Sequence, residues 1–520
     1  MAIDRFGGHV RGRVVLWVCL SALVIPLGPE IGRNWVWAED APRSGPKRPN
    51  LLILIADDHR GGTLGVDGDP RRATPNLDRL AGQGVRFTHA FCNAPVCTAS
   101  RQSFITGRLP HAVGVTRLTT RLPDDAVTLA DLLSPLGYDT AAIGKMHFNG
   151  PSRHGFDERV DLPEYLEWLK ANPPRGGDHR RPWRPFQSPA SEWLNATCRS
   201  SGLPVEAMDS TFFAEQAIDY LRRRRDRPFA LVVSFYDPHS PFHFPREWEG
   251  RYLPRNFPAP LLSEADRREL PRVFRGLTPT DRQAIQAAYF TSLSFLDHEV
   301  GRVLDALDRN GLADDTVVVF LGDNGYMLGE HGRFEKHCFY EPAVRVPLLV
   351  RWKGHLPQGR RVDGMVELVD VLPTLLDLLG LSPAGDFHGR SLVPLIRGDR
   401  GAAGRDVVFS EYLENEEAMA RSERFKLVVG TGRRKRLDGY ETGRPLSGPY
   451  ERLYDLRDDP GETTDLSSRP EFAGIKGALI RELYHRLVST QGRGRTVPAD
   501  LPMMEAIHRC LVPPDAGPAR

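Results

Sequence analysis

Two apolar stretches of this chain each end in a pair of oxygen donors: Asn50–Ala56 runs into Asp57 and Asp58, and Thr316–Gly322 runs into Asp323 and Asn324. Brought side by side, such pairs repel unless a cation lies between them, and an all-oxygen set suits calcium, or less well magnesium, better than zinc. Either pair alone also reads as the polar start of a turn. A third feature is the stretch Phe91–Phe104, FCNAPVCTASRQSF. Pro95 closes the preceding segment, and a helix over Thr98–Thr106 would place Cys97 at its N-terminus, where unpaired N–H groups and the helix dipole favour negative charge. Arg101, one turn on, shares that face, so the setting predicts a thiol of lowered pKa and an anion site. By residue type alone, a buried inert cysteine is the better reading. More cations follow other apolar stretches: Lys145 and His147 in GKMH, His239 in PHSP, and His331 and Lys336 in GEHGRFEKHCFYE. A hard cation with one Arg, two Lys and two or three His describes a pocket for a tetrahedral oxyanion such as a sulfate or phosphate ester. Singly, each of these residues has the plainer reading of a solvated lysine or a hydrogen-bonded structural histidine.

Their grouping depends on the elements that carry them. LLILIA after Asn50 is a continuous apolar run, as in a strand buried on both faces of a parallel sheet. Thr140–Ile143, Phe229–Phe235, the TVVVFLG run and Val344–Trp352 read as further strands. Between them lie helical patterns: Thr74 as N-cap with Pro75 at the first position and Leu77, Leu80 and Ala81 as the apolar stripe, about Val127–Leu136, 281–309 stopped by Asn310-Gly311, and Val366–Gly380. Alternation of this kind predicts an α/β fold, a large and mostly parallel mixed sheet sandwiched by helices. In such a sheet the carboxyl ends of the strands share one edge, where ligands bind, and every candidate residue above follows a strand on that edge. Residues 152–201, rich in Pro, Arg and Trp, read as a long surface excursion, a candidate lid with Trp183 and Trp193 available to stack on a sugar. Beyond residue 399, VVFSEY, FKLVVG, ERLYDL and a helix at about Phe472–Val488 predict a small C-terminal α+β subdomain with an antiparallel sheet.

Arg5, Arg11 and Arg13 precede the apolar run Val14–Leu27, which is short for a membrane span, and Val36-Trp37-Ala38 offers a peptidase site. The expected organisation is therefore a signal peptide over 1–38, a leader over 39–49, a catalytic domain over 50–398 and the C-terminal subdomain over 399–520. Export follows, to the periplasm or medium, with an uncleaved N-terminal anchor as the alternative. Five cysteines remain after Ala38, an odd number with no CxxC spacing, which argues against a zinc ribbon or a thioredoxin-type site. A formal net charge of +2 over 520 residues gives no general attraction to nucleic acid.

Cys97-Thr98-Ala99-Ser100-Arg101 with Thr106-Gly107, and the run from Gly137-Tyr138 to Gly144-Lys145-Met146-His147, resemble the two signatures of the formylglycine-dependent sulfatases, members of the alkaline-phosphatase-like superfamily. NLLILIADDHR, TPNLDRLAGQGVRF, PHSPF, GDNGYMLGEHG, YEPAVRVPLLVRW and LYDLRDDPGE are similar to the family too, so the likeness runs from about Asn50 to Leu466. Ala99 stands where proline is commoner. The resemblance implies that a formylglycine-generating maturation enzyme oxidises Cys97 to Cα-formylglycine, whose hydrate is a geminal diol. One hydroxyl of the diol attacks sulfur and the second releases sulfate, which a serine or plain cysteine lacks the group to do. It further implies that Asp57, Asp58, Asp323 and Asn324 hold calcium, with Cys97 joining them once modified. Arg101 and Lys145 would orient the nucleophile, His147 would assist it, and His239 and Lys336 would contact the sulfate and protonate the leaving oxygen. His331 receives no role.

Export and the Arg- and Trp-rich excursion favour a sulfated carbohydrate as substrate. GKMHFNGPSRHGF also resembles choline-sulfatase-like members, and an arylsulfatase or a phosphodiesterase or phosphonate hydrolase on the same scaffold would use the same pocket. A non-catalytic binding homologue is the reading from another class, and the intact constellation argues against it.

Overall fold

The computed structural model describes residues 48–513 apart from 72, 175–193, 261, 382–384, 434–439, 444–447 and 493–496. The expected signal peptide, most of the leader, and Trp183 and Trp193 of the candidate lid lie outside these residues. The described residues from 48 onward belong to one compact unit, and none of their helices is long and apolar enough to cross a membrane.

Among the described residues the main sheet has nine strands: β1 (Asn50–Ala56), β2 (Val85–Phe91), β3 (Asp139–Gly144), β4 (Glu158–Val160), β5 (Phe229–Ser234), β6 (Thr316–Gly322), β7 (Arg345–Arg351), β8 (Arg360–Val362) and β9 (Val366–Glu367). Their order is β4-β3-β5-β1-β6-β7-β2-β8, with β9 also paired to β2. Every pairing is parallel except the two made by β7, so eight strands share one direction and β7 alone is reversed. At the centre, β1, β5 and β6 are buried along their whole length, which is why their sequences are continuous apolar runs rather than alternating ones. The C-terminal sheet is antiparallel, in the order β10 (Val407–Tyr412), β11 (Glu417–Ser422), β12 (Phe425–Gly430) and β13 (Tyr450–Asp455). The Ala473–Ser489 helix buries Leu479, Leu483 and Leu487 in its core.

Several local expectations need correction. Val127–Leu136 is a shorter helix, Leu129–Leu133, capped by a Thr128–Asp131 box and followed by a 3-10 turn through Pro135. Val366–Gly380 opens with β9 and a 3-10 turn, and becomes α-helical only over Val371–Leu378. The excursion at 152–201 is not all loop. It holds β4 and a helix over Leu162–Ala171, which an Asp161–Glu164 capping box begins.

Thr74 sits at the N-cap of the Pro75–Gly82 helix but does not cap it. Its hydroxyl takes the Gly65 N–H at 3.1 Å. The cap comes instead from Asp297, in the middle of the long Pro279–Arg309 helix, which accepts from Asn76 N at 3.0 Å and Leu77 N at 2.8 Å. Asp297→Ala leaves the buried Leu77 N–H and the part-buried Asn76 N–H unmatched and is expected to cost about 2–4 kcal/mol, read from the urea midpoint. A loss below about 0.5 kcal/mol would show that water replaces the carboxylate there.

Candidate active site

Five strands of common direction deliver the candidate residues to one edge. β1 ends at Asp57 and Asp58, β6 at Asp323 and Asn324, β3 at Lys145, and β5 at the loop carrying His239. β2 leads through Pro95 into the Cys97–Thr106 helix, ended by Gly107 in the left-handed region. Lys145 is placed by Gly144, whose φ is +91°, and a Cβ there would stand 2.0 Å from the Ser234 carbonyl oxygen, so only glycine lets β3 pass that close to β5. Asp58 and His147 hold φ of 62° and 59°, left-handed values that non-glycine residues keep at a cost of about 1–3 kcal/mol.

The charges interlock. Arg101 Nε donates to Asp323 Oδ2 at 2.7 Å, and its Nη1 donates to Ser234 Oγ at 2.6 Å and to the Lys145 carbonyl. Its Nη2 lies 3.7 Å from Asp57 Oδ2, to which Lys145 Nζ donates directly. Lys336 Nζ donates to Asp58 Oδ1 at 2.6 Å, as does Asn324 Nδ2 at 2.7 Å. His239 Nε2 is 3.9 Å from Asp58 Oδ2, and its Nδ1 donates to the Ser240 carbonyl at 2.6 Å. His147 Nδ1 meets Thr98 Oγ1 at 3.1 Å. Arg101, Lys145, His147, His239 and Lys336 thus lie around the Asp57, Asp58, Asp323 and Asn324 cluster, and Ser234, Ser240 and Thr98 make further contacts there. Groups able to hold a metal ion form two overlapping trios, Asp57 with Asp58 and His239, and Asp57 with Cys97 and Asp323, whose donor atoms lie within 4.8 Å of one another.

Burial sets the protonation pattern. Asp57 is held well below the usual carboxylate range, because Lys145, His239, Lys336 and Arg101 outweigh its desolvation. Asp58 is pushed up to about 7 by burial, with the neighbouring Asp57 and Asp323 carboxylates adding to the rise and Lys336 opposing it. Burial also raises Asp323, and Asp57 reinforces it. Desolvation would lower Lys336, yet Asp58 and its neighbours hold its ammonium well above the ordinary value. His147 is brought down to about 2 by burial and by Lys145 and Arg101, and His239 falls well below its usual value for like reasons. The expectation of a lowered Cys97 thiol fails: burial raises it, and Lys145 and Lys336 only partly offset that. As a thiol, Cys97 is a poor nucleophile.

Three oxygens answer whether a cation fits. Asp57 Oδ1, Asp58 Oδ2 and Asn324 Oδ1 are buried with no hydrogen-bond partner. Buried acceptors left unmatched are costly, and a hard divalent cation would satisfy all three and oppose the upward pull on Asp58 and Asp323. Sulfur is a soft donor ill matched to calcium, so Cys97 joins this set only with an oxygen in place of its Sγ.

Outside the cluster, His331 does not reach the acids. It bonds Asp266 Oδ1 at 2.7 Å and stacks on Tyr340 at 3.9 Å, clamping the Glu264–Glu269 helix to the turn after β6. Cys92, Cys97 and Cys198 are free thiols. Sequence reasoning passed over Thr98, Gln102, Ser234 and Tyr289. Gln102 Nε2 holds the His147 carbonyl at 2.6 Å, and Tyr289 OH donates to the Asp58 carbonyl at 3.0 Å. Thr98 and Gln102, four apart on one helix, share a face that meets the His147 turn, and that spacing was the available signal.

The family model described as Sulfatase matches residues 49–381, and the model described as N-sulphoglucosamine sulphohydrolase, C-terminal, matches residues 329–489. The chain is 30% identical over 486 residues to an arylsulfatase of Clostridium perfringens, covering 84% of this chain and 95% of the relative. It is 32% identical over 453 residues to a choline-sulfatase of Rhizobium meliloti, covering 81% and 83%. Among solved structures it is similar to the phosphonate monoester hydrolase of Agrobacterium radiobacter, with a TM-score of 0.72, 26% identity, and coverage of 85% of this chain and 96% of that one.

Proposed function

The chain belongs to the sulfatase family and is a sulfuric ester hydrolase, and on that premise we propose an exported, calcium-dependent enzyme that uses a formylglycine made from Cys97 to hydrolyse a sulfated carbohydrate. The observation that carries this reading is the convergence of Arg101, Lys145 and Lys336 on buried acids beside the Cys97 helix, where two carboxylate oxygens and the Asn324 amide oxygen stay unmatched. Asp57, Asp58, Asp323 and Asn324 would hold the ion, which when bound supplies Lewis-acid polarisation of a sulfate oxygen. Magnesium suits the site less, because it keeps several waters and demands an octahedral shell. Formylglycine, made by a separate maturation enzyme, would supply a hydrated aldehyde in place of a thiol whose thiolate form burial disfavours.

The chain's own groups then divide the work. Lys145 and Lys336 bring positive charge to the sulfate, and Arg101, locked by Asp323 and Ser234, keeps the residue-97 side of the pocket positive. His239 has its Nδ1 proton committed to the Ser240 carbonyl. Its neutral ring therefore faces the site as an acceptor, and it donates to a leaving oxygen only after the incoming anion has raised it to imidazolium. Lys336 stays an ammonium and is the second candidate donor. The carbohydrate assignment rests on the N-sulphoglucosamine sulphohydrolase likeness over 329–489 and on the Arg- and Trp-rich excursion. Export, with cleavage near Ala38, rests on the N-terminal sequence alone.

Intact-peptide mass spectrometry across Cys97 tests the maturation step, and finding only thiol in protein from the native host removes it. Sulfated glycans should be turned over faster than choline sulfate, aryl sulfate, phosphate diesters or phosphonate monoesters. Turnover of choline sulfate with none of the glycans would overturn the carbohydrate assignment. The fold likeness to a phosphonate monoester hydrolase favours a second reading, hydrolysis of a phosphorus ester, and a clear preference for phosphonates would install it. Chelation is expected to abolish turnover, with calcium restoring it fully and magnesium in part. Unchanged activity in protein shown by elemental analysis to be metal-free would remove the ion from the scheme.

A further inference from the structure

Thr98 has one proton to give and two neighbours within reach. Its Oγ1 lies 2.7 Å from the Leu118 carbonyl oxygen and 3.1 Å from His147 Nδ1. A carbonyl carries no proton, so a 2.7 Å oxygen–oxygen contact is attractive only when the hydroxyl proton lies between the two atoms. Without it, two sets of lone pairs would be pressed together. The threonine oxygen therefore meets the imidazole with lone pairs alone, and the proton in that contact must belong to Nδ1.

The acceptor that fixes this direction is itself anchored. Leu118 O also accepts from Asn149 Nδ2 at 2.8 Å, and Leu118 N donates to Glu414 Oε2 at 3.2 Å, a residue of the turn between β10 and β11. The backbone of His147 is held separately, its carbonyl taking Gln102 Nε2 at 2.6 Å. Ring and backbone of His147 are thus tied to one helix, and the Leu118 acceptor is tied to other segments.

We propose that Thr98 is a positioning residue that locks His147 as its Nδ1–H tautomer, leaving Nε2 as the one ring nitrogen able to accept a proton. The inference rests on the reading of this cluster as a hydrolase site. A neutral imidazole has one N–H, and which nitrogen carries it is set by the partner of the other. His147 then works as an acceptor toward the nucleophile from the start of the cycle. His239, whose Nδ1 proton is likewise spoken for by Ser240 O, is set the same way from its own loop.

The test is nitrogen NMR of protein labelled at histidine, with the His147 signals assigned by their loss in His147→Gln. Nδ1 should show the shift of a protonated ring nitrogen and Nε2 that of an unprotonated one. Thr98→Ser should keep this pattern and stay within about threefold of the parent rate. Thr98→Val should lose it, and kcat should fall about 10- to 100-fold with KM changed by less than about twofold, as when the partner that orients a catalytic histidine is removed. An unprotonated Nδ1 in the parent protein overturns the proposal, and so does Thr98→Val with unaltered His147 shifts and rate. Should Thr98→Val not fold, the parent and Thr98→Ser spectra decide alone. Nδ1–H in a protein that turns over no sulfate ester would support the tautomer and overturn the sulfatase scheme, so the two readings fail separately.

Discussion

Cys97→Ala is expected to lower kcat by about 10⁶-fold, the scale on which hydrolases lose their nucleophile, and to leave the fold intact. The first half follows from the division of roles at the site. In the proposed scheme Arg101, Lys145, Lys336 and the acids bind and polarise, and among the described residues no other thiol or hydroxyl is free to attack there. Ser100 is turned away, its hydroxyl bonded to the Asp323 carbonyl, and Ser234 accepts from Arg101. The second half follows from burial. Cys97 is 1% exposed at the first position of its helix, so the change removes one atom from a packed wall and should cost about 1 kcal/mol. Substrate should still bind, and a KM or inhibitor constant close to that of the parent would show the anion pocket surviving. Residual turnover above about 1% of the parent would mean that another group attacks sulfur.

Lys426→Met is expected to destabilise the protein by about 3–5 kcal/mol, with the C-terminal sheet loosening first. Lys426 lies on β12 and is fully buried. Its ammonium donates to the Phe339 carbonyl at 2.8 Å and Glu462 Oε1 at 2.7 Å, and lies 2.9 Å from Glu341 Oε1. Arg421 also reaches Glu341, at 3.3 Å. Methionine fills a similar volume but takes the ammonium from buried Glu462 and leaves half-buried Glu341 to Arg421. The pH dependence has a defined sign. Burial raises the Glu341 carboxyl, but Lys426 and Arg421 outweigh it and hold the group down to about 2, against an ordinary 4.5. A lowered folded value means stability that is complete above 4.5 and lost as pH falls toward 2. In Lys426→Met that acid-side loss should shrink and begin at higher pH. Urea titrations at neutral and acid pH measure both effects. A change under about 1 kcal/mol would show the acids taking up protons or water at little cost.

How much of this could be read from the chain follows from where each interaction lives. β1, β5 and β6 are legible because burial on both faces writes itself as consecutive apolar residues. β2 and β11 are not, since VRFTHAF and EAMARS mix charge with small residues and present no run. The reversal of β7 is invisible locally: RVPLLVR is as apolar as a central parallel strand. The candidate site residues could be grouped from sequence because Asp57, Asp58, Lys145, Asp323 and Asn324 directly follow strands and strand ends in a parallel sheet meet, whereas Arg101 and Lys336 lie further along the chain. What supports them was not legible. Asp297 caps a helix more than two hundred residues upstream, and Thr98 and Leu118 touch only after the chain has folded back. The thiol pKa went wrong for a related reason: the helix terminus and Arg101 are local and visible, whereas the burial that outweighs them is made by distant segments.

The single reversed strand has a consequence for divergence. A parallel neighbour to β6 would oblige the chain to return to the far edge of the sheet before pairing. Because β7 instead begins at the edge where β6 ends, everything from Asp323 to Val344 leaves and re-enters the sheet on the same side. That segment carries two of the proposed ion ligands, the clamp His331 and Lys336. It can lengthen, shorten or be exchanged without rethreading any strand. Relatives could therefore reshape the entrance to the pocket, and with it the choice of alcohol released, while the scaffold beneath stays as it is.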